Sequence, residues 1–458
     1  MTAELLSRIQ FGLTISFHIL FPTLNLGLAL FIVFMEAAWL KTKNSLYLTI
    51  TKFWTKIFAL TFGMGVVSGI VMSYEIGTNF AGFSNSAGPV LGALFGYEVL
   101  SAFFLEAGFL GIMLFGWDRV GKKTHFAATF LVMLGTAISA FWILSANSWM
   151  QTPAGYDFIN GKFIVTNWWQ VVFNPSTIPR YIHMMFAAYT TTCFVVAGIS
   201  AYYLLQSRHI EVARKCFSIA LLAAAFIVPI QIFVGDVVGL HVHEYQPLKT
   251  AAMEGVWDTQ KAAPLVLFAY PDASQEKNLY AVTIPYGASL INTHSLEGEL
   301  VGLKSVAPND RPVVDMVFYG FRIMVGIGLL FLLVAWWALY LRWRKQLYKN
   351  KWLQRICVVI APFGFLATLA GWITAESGRQ PWAVYGLLRT ADAVSHITAN
   401  QVLTSLIVFI IVYGIVFTGY LIYLFRVIAK GPDDTRVTPQ DVLFTYMEKG
   451  NKEVVNHV

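Results

Sequence analysis

The sequence predicts an all-α integral membrane protein with about nine transmembrane helices, and three observations carry that expectation. Of 458 residues 57% are hydrophobic and only 12% charged, which would leave a water-soluble fold with far too much uncovered apolar surface. About nine stretches are long enough to cross a hydrocarbon core, which takes ~20 apolar residues as a helix. Basic residues concentrate in alternate short loops, as in a chain that weaves through a bilayer.

The expected spans cover roughly 11–37, 57–74, 93–117, 125–147, 181–205, 217–239, 314–341, 356–376 and 398–425. Only Arg8 precedes the first, which outruns a signal-peptide core and lacks a small-residue cleavage site, so it reads as a retained helix. The loops after spans one, three, five and seven hold 16 Lys or Arg in 51 residues, against 10 in 156 for the opposite set. That asymmetry places the N-terminus outside and the C-terminal tail, with Lys430, Arg436, Lys449 and Lys452, in the cytoplasm. The net charge of +7 is explained by anchoring to the lipid bilayer, with no need for a nucleic-acid partner.

The chain divides into helices one to six (1–239), a hydrophilic outer insert (240–313), helices seven to nine (314–426) and a cytoplasmic tail (427–458). The insert contains Pro247, Pro264, Pro271, Pro285 and Pro308, and long loops in compact folds are often functional. Cys193, Cys216 and Cys357 are scattered, with neither a disulfide framework nor a Cys-x-x-Cys-His attachment site, and read as small buried side chains. Without a Walker sequence or Gly-rich dinucleotide turn, nucleotide-driven transport has no support.

Polar residues inside the membrane are costly and therefore informative. His18 lies about seven residues into span one, His183 opens span five after Arg180, Met324 lies about ten residues into span seven, and Glu376 closes span eight. At ~1.5 Å per residue all four converge toward the outer half of the bilayer, and all four are capable of holding a haem iron. Singly, each has a plainer reading: a hydrogen-bonded packing histidine, core methionine, or interfacial anchoring in the Trp372–Trp382 segment. Arg322, two residues before Met324 and ~200° around the helix, demands an anion, for which a haem propionate is suited. Arg379 carries the same reading on its charge. Glu98 and Glu106 are eight residues apart, ~80° around a helix, and can share one polar seam that passes protons. Lys249 and Glu254 in the insert offer a donor and a proton acceptor, or else a solvated surface pair. A proton-coupled transporter would explain the carboxylates and arginines without haem. A haem-binding scaffold would not reduce oxygen, and a haem-copper site would need an adjacent His-His pair that the nine histidines do not supply.

In order and topology these residues resemble subunit I of the cytochrome bd family of quinol oxidases. The marker is Gly378-Arg379-Gln380-Pro381-Trp382 preceded by acidic Glu376, and the resemblance spans nearly the whole chain. It includes His18, Gly77-Thr78-Asn79, Glu98, Glu106, Trp149-Met150-Gln151, His183, Lys249, Glu254, Phe321-Arg322-Ile323-Met324 and 371–382. The resemblance implies a low-spin haem b held by His183 and Met324. His18 and Glu376 would each ligate one of two high-spin haems, a haem b and either a haem d or a further haem b. Glu98 and Glu106 would carry protons toward the oxygen site, with Trp372 among the haems and Lys249 and Glu254 at a quinol. It also implies a second membrane-embedded subunit, leaves room for small single-span accessory chains, and places the protein in a bacterial cytoplasmic membrane. The insert resembles that of the short-loop branch, which includes cyanide-insensitive oxidases.

Overall fold

The computed structural model describes residues 1–433, so the tail beyond them, with Arg436, Lys449 and Lys452, lies outside the described residues. Among the described residues nine helices are long and apolar enough to cross a membrane. They are Ala3–Thr42, Ser45–Asn79, Ala81–Phe115, Lys122–Gln151, Trp168–Leu205, Ile210–Tyr245, Pro308–Trp343, Lys351–Ser377 and Ala399–Lys430. We refer to them as spans one to nine. Antiparallel connections put the start of each odd span and the finish of each even span at one end of the bundle, which also bears the insert. We call it the insert end.

The helices outrun the expected apolar stretches because hydropathy marks only the part in hydrocarbon, whereas backbone hydrogen bonding continues until a cap stops it. Asn44 accepts from the Leu46 N–H at 2.9 Å and starts span two well before residue 57. The outer loop expected at 75–92 is a correction: span two runs on to Asn79 and span three begins at Ala81, with only Phe80 between them. Span six likewise continues to Tyr245, past the expected boundary at 239.

The largest apolar core lies at the opposite end. There Phe53, Trp54, Phe58, Phe194, Phe217, Phe331 and Leu353 are buried together, and Phe194 stacks on Phe331 with ring centroids 3.8 Å apart. Small residues let the central fifth span approach its neighbours: a Cβ on Gly198 would stand 2.5 Å from Ala361, and one on Gly364 2.5 Å from Thr191.

The insert opens with the helix Pro247–Glu254, which packs against spans six and seven. It continues through an antiparallel hairpin, Leu265–Asp272 with Lys277–Ile284, and the helix Gly287–Thr293. The Asp272 carboxylate holds the hairpin turn by accepting from the N–H groups of Ser274 and Gln275.

Candidate functional site

Glu376 organises the insert end. Its Oε2 lies 2.6 Å from Arg379, and its Oε1 accepts from Asn147 at 3.0 Å and Gln151 at 3.2 Å, with Arg180 at 4.0 Å. Asn147 and Gln151 are four residues apart on span four and so share one helix face. The Gln151 side-chain oxygen accepts from Lys249 Nζ at 2.7 Å, and its main-chain oxygen from Gln246 at 2.9 Å. An unbroken hydrogen-bonded run therefore links the insert, through one amide, to the span-eight carboxylate. Gly378 has a steric role here, because a Cβ at that position would come within 2.6 Å of the Lys249 stem.

The insert pair is buried, with Lys249 4% and Glu254 1% exposed, so the solvated-surface reading is set aside. Burial holds the Lys249 ammonium well below the usual lysine range; Arg180 and Arg379 push the same way while Glu376 opposes. Burial raises Glu254 above the usual carboxylate range, against a 3.0 Å hydrogen bond from Asn292 and the charge of Arg322. Its Oε2 is buried without a partner.

Three of the four expected iron ligands, His18, His183 and Met324, each sit against a glycine of a neighbouring helix. A Cβ on Gly69 would stand 3.2 Å from His18 Cε1, one on Gly235 3.3 Å from His183 Cε1, and one on Gly371 2.7 Å from Met324 Sδ. His18 Nδ1 lies 3.0 Å from Ser68 Oγ, an arrangement that orients the ring and leaves Nε2 for another partner. His183 Nδ1 is buried without a hydrogen bond. Arg379, 8% exposed, gives one nitrogen to Glu376 while its Nε and another terminal nitrogen are buried and unpartnered, spare donors suited to an anion. Trp372 follows Gly371, half-buried.

Arg322 reaches into the insert. Its donors go to the carbonyls of Val266, Met253 and Phe318, and its guanidinium lies 3.3 Å from the Phe318 ring centroid. The anion demanded by its charge is met by three carbonyl dipoles and nearby Glu254, so Arg322 ties the insert to span seven.

Glu98 accepts from Ser139 at 2.7 Å and directly precedes a π turn, Val99–Phe103. That wider turn absorbs part of the ~80° offset a uniform helix leaves between Glu98 and Glu106. Glu106 is buried where Gly135 lets span four come close; a Cβ there would meet Glu106 Cγ at 2.7 Å.

Sequence reading passed over Asn147, Glu36, His125 and Glu75, and gave Gln151 no role. A helical-face count from Gln151 would have found Asn147, and the intramembrane carboxyl Glu36 was visible by the same rule that singled out Glu106, whereas Glu75 fell in the loop expected at 75–92.

The buried cations, the paired carboxylate and the histidines in glycine niches make a polar site inside a membrane-spanning helical bundle. The family model described as cytochrome bd terminal oxidase subunit I matches residues 6–432. Cytochrome bd ubiquinol oxidase subunit 1 of Bacillus subtilis (strain 168) is 38% identical over 448 residues, covering 94% of this chain and 95% of that protein. Cytochrome bd-II ubiquinol oxidase subunit 1 of Escherichia coli (strain K12) is 34% identical, covering 89% and 93%. The solved bd oxidase from Geobacillus thermodenitrificans superposes with a TM-score of 0.87 at 30% identity, covering 94% of this chain and 99% of that one. The chain belongs to the cytochrome bd terminal oxidase subunit I family. It is a multi-pass protein of the bacterial cytoplasmic membrane, and membership implies haem cofactors and a partner subunit.

Proposed function

We propose that this chain is the haem-carrying subunit of a terminal respiratory oxidase that oxidises quinol at the insert end and reduces dioxygen to water. The observation that carries this reading is the run Lys249–Gln151–Glu376, which joins the insert's buried lysine to the most heavily hydrogen-bonded carboxylate of the spans. His183 and Met324 would hold a low-spin haem b, and His18 and Glu376 one high-spin haem each, with Arg379 donating to a propionate. Bound there, the haems supply electron transfer and oxygen reduction.

The protein's own residues manage protons and charge. Glu254, raised above the usual carboxylate range by burial and with one oxygen free, receives a proton from the quinol in its ionised form, while Lys249 donates a hydrogen bond to the quinol oxygen. Charge asymmetry of the loops supports an outer position for the insert, from which these protons leave outward. Protons for water enter from the cytoplasm along span four, where Glu106 lies beside Gly135 and Glu98 bonds Ser139. Turnover then separates charge across the membrane without a pump.

The partner subunit would cover the least enclosed spans: only 17% and 11% of the apolar windows of spans three and nine are buried, against 56% for span one. The insert fits the short-loop branch. The test is a dithionite-reduced minus air-oxidised spectrum of the purified complex, repeated with carbon monoxide and joined to haem extraction. A carbon-monoxide-reactive high-spin haem is expected, and extraction decides between haem d and a further haem b. A complex without haem overturns the reading.

A further inference from the structure

Glu75 is a buried carboxyl that the proposed mechanism does not use. It lies one turn before the insert end of span two, 3% exposed, and both its carboxylate oxygens are buried without a hydrogen bond. Thr14 and Gln10 of span one are the side chains within its hydrogen-bonding reach. From span nine, Tyr413 approaches with a buried hydroxyl that also has no partner. Tyr413 is the titratable side chain facing Glu75; Gln10, Thr14 and Asn79 do not titrate.

This pocket has an opening on one side and the His18 site on the other. Gln10 Oε1 accepts from Ser405 at 2.9 Å and from Asn79 at 3.3 Å, and Ser405 lines an open recess of about 420 Å³ with Asn400, Gln401 and Thr404. In the other direction the Tyr413 ring stacks on Phe17, centroids 4.4 Å apart, and Phe17 precedes His18. Ser68, which orients His18, is seven residues before Glu75, about 10 Å along the helix. An ionised carboxylate without partners in an apolar span is expensive, and such a group binds a proton instead.

We propose that Glu75 is a proton-binding site that fills from the insert-end surface, by way of Ser405 and Gln10, when an electron reaches the His18 pocket. The proton binds one carboxylate oxygen, offsets the added negative charge, and returns to the same surface on reoxidation; it is not consumed in making water. The inference rests on the reading of His18 as a haem ligand.

The test uses the purified complex, with Glu75→Gln compared to the parent by redox-difference infrared spectroscopy and by the pH dependence of the high-spin haem potentials. The parent should show a redox-linked carboxyl C=O band and a high-spin potential that falls as pH rises. Glu75→Gln should lose that band and flatten that slope while haem content and the low-spin potential stay unchanged. Retention of both signals in Glu75→Gln overturns the proposal. Tyr413→Phe supplies a milder variant, expected to shift the band, should Glu75→Gln fail to assemble; an unshifted band there also counts against it. If His18→Ala leaves every haem bound, the reading of His18 falls. Titrating the carboxyl band in the resting protein still answers whether Glu75 binds a proton.

Discussion

Two buried carboxyls at opposite ends of the bundle show what each end is for. Glu36, fully buried in span one, is saturated: Oε1 lies 2.7 Å from His125 Nδ1, Oε2 accepts from Thr129 at 2.7 Å, and His125 Nε2 is 3.2 Å from the Met113 carbonyl. That network ties spans one, three and four together beside the aromatic core. Glu75, equally enclosed at the insert end, has neither oxygen satisfied. His183, Glu254 and Arg379 at the same end also keep buried polar atoms unpartnered. A satisfied polar network fixes a fold, whereas a carboxyl left unpartnered in a low-dielectric interior favours binding a proton.

The largest expected effect that tests this contrast is at Glu376. Glu376→Ala should abolish oxygen consumption and disturb one high-spin haem while leaving the low-spin signal largely intact; an active variant with every haem unchanged would remove the assignment. Glu36→Ala should act on stability, since it leaves the buried His125 and Thr129 side chains without their acceptor, at about 1–3 kcal/mol for each unsatisfied group. Thermal unfolding of the complex should show that loss with the haem spectrum per folded molecule unchanged. A stable Glu36 variant with slowed proton uptake would break the contrast and give the saturated carboxyl a transport role.

Gly371→Ala sharpens the comparison on a finer scale. Its methyl would stand 2.7 Å from Met324 Sδ, the mobile end of a flexible side chain, so the fold survives while the sulfur moves. Loss of methionine ligation should appear in the low-spin haem spectrum and potential; an unaltered signal would separate Met324 from that iron.

The smallest effect is in the pH profile of quinol oxidation. Glu254 is raised, so it accepts protons only as pH climbs past the usual carboxylate range, giving a rising limb. Lys249 is depressed, so its donor charge is lost below the usual lysine range, giving a falling limb. Glu254→Gln should remove the first limb and Lys249→Met the second, measured as kcat/KM with a quinol. Loss of activity without change in profile would assign both residues to structure.

The number of spans, their alternation and the insert were legible in the sequence because apolar length and loop charge depend on local composition. Residues that are costly anywhere in a membrane, His18, His183, Glu106, Glu376 and Arg322, were legible for the same reason. Helix ends were less so: nothing in hydropathy distinguishes a helix that continues past its most apolar stretch, as at 75–92, from a loop. Tertiary structure alone decided the partners. Gln151 and Lys249 are 98 residues apart in sequence, yet one hydrogen bond joins them. Arg322 bonds loop carbonyls because the insert folds back over span seven, and Glu36 is satisfied while Glu75 is not because of which helices pack beside each. A sequence states which groups must be compensated in a low-dielectric interior, and packing determines what compensates them.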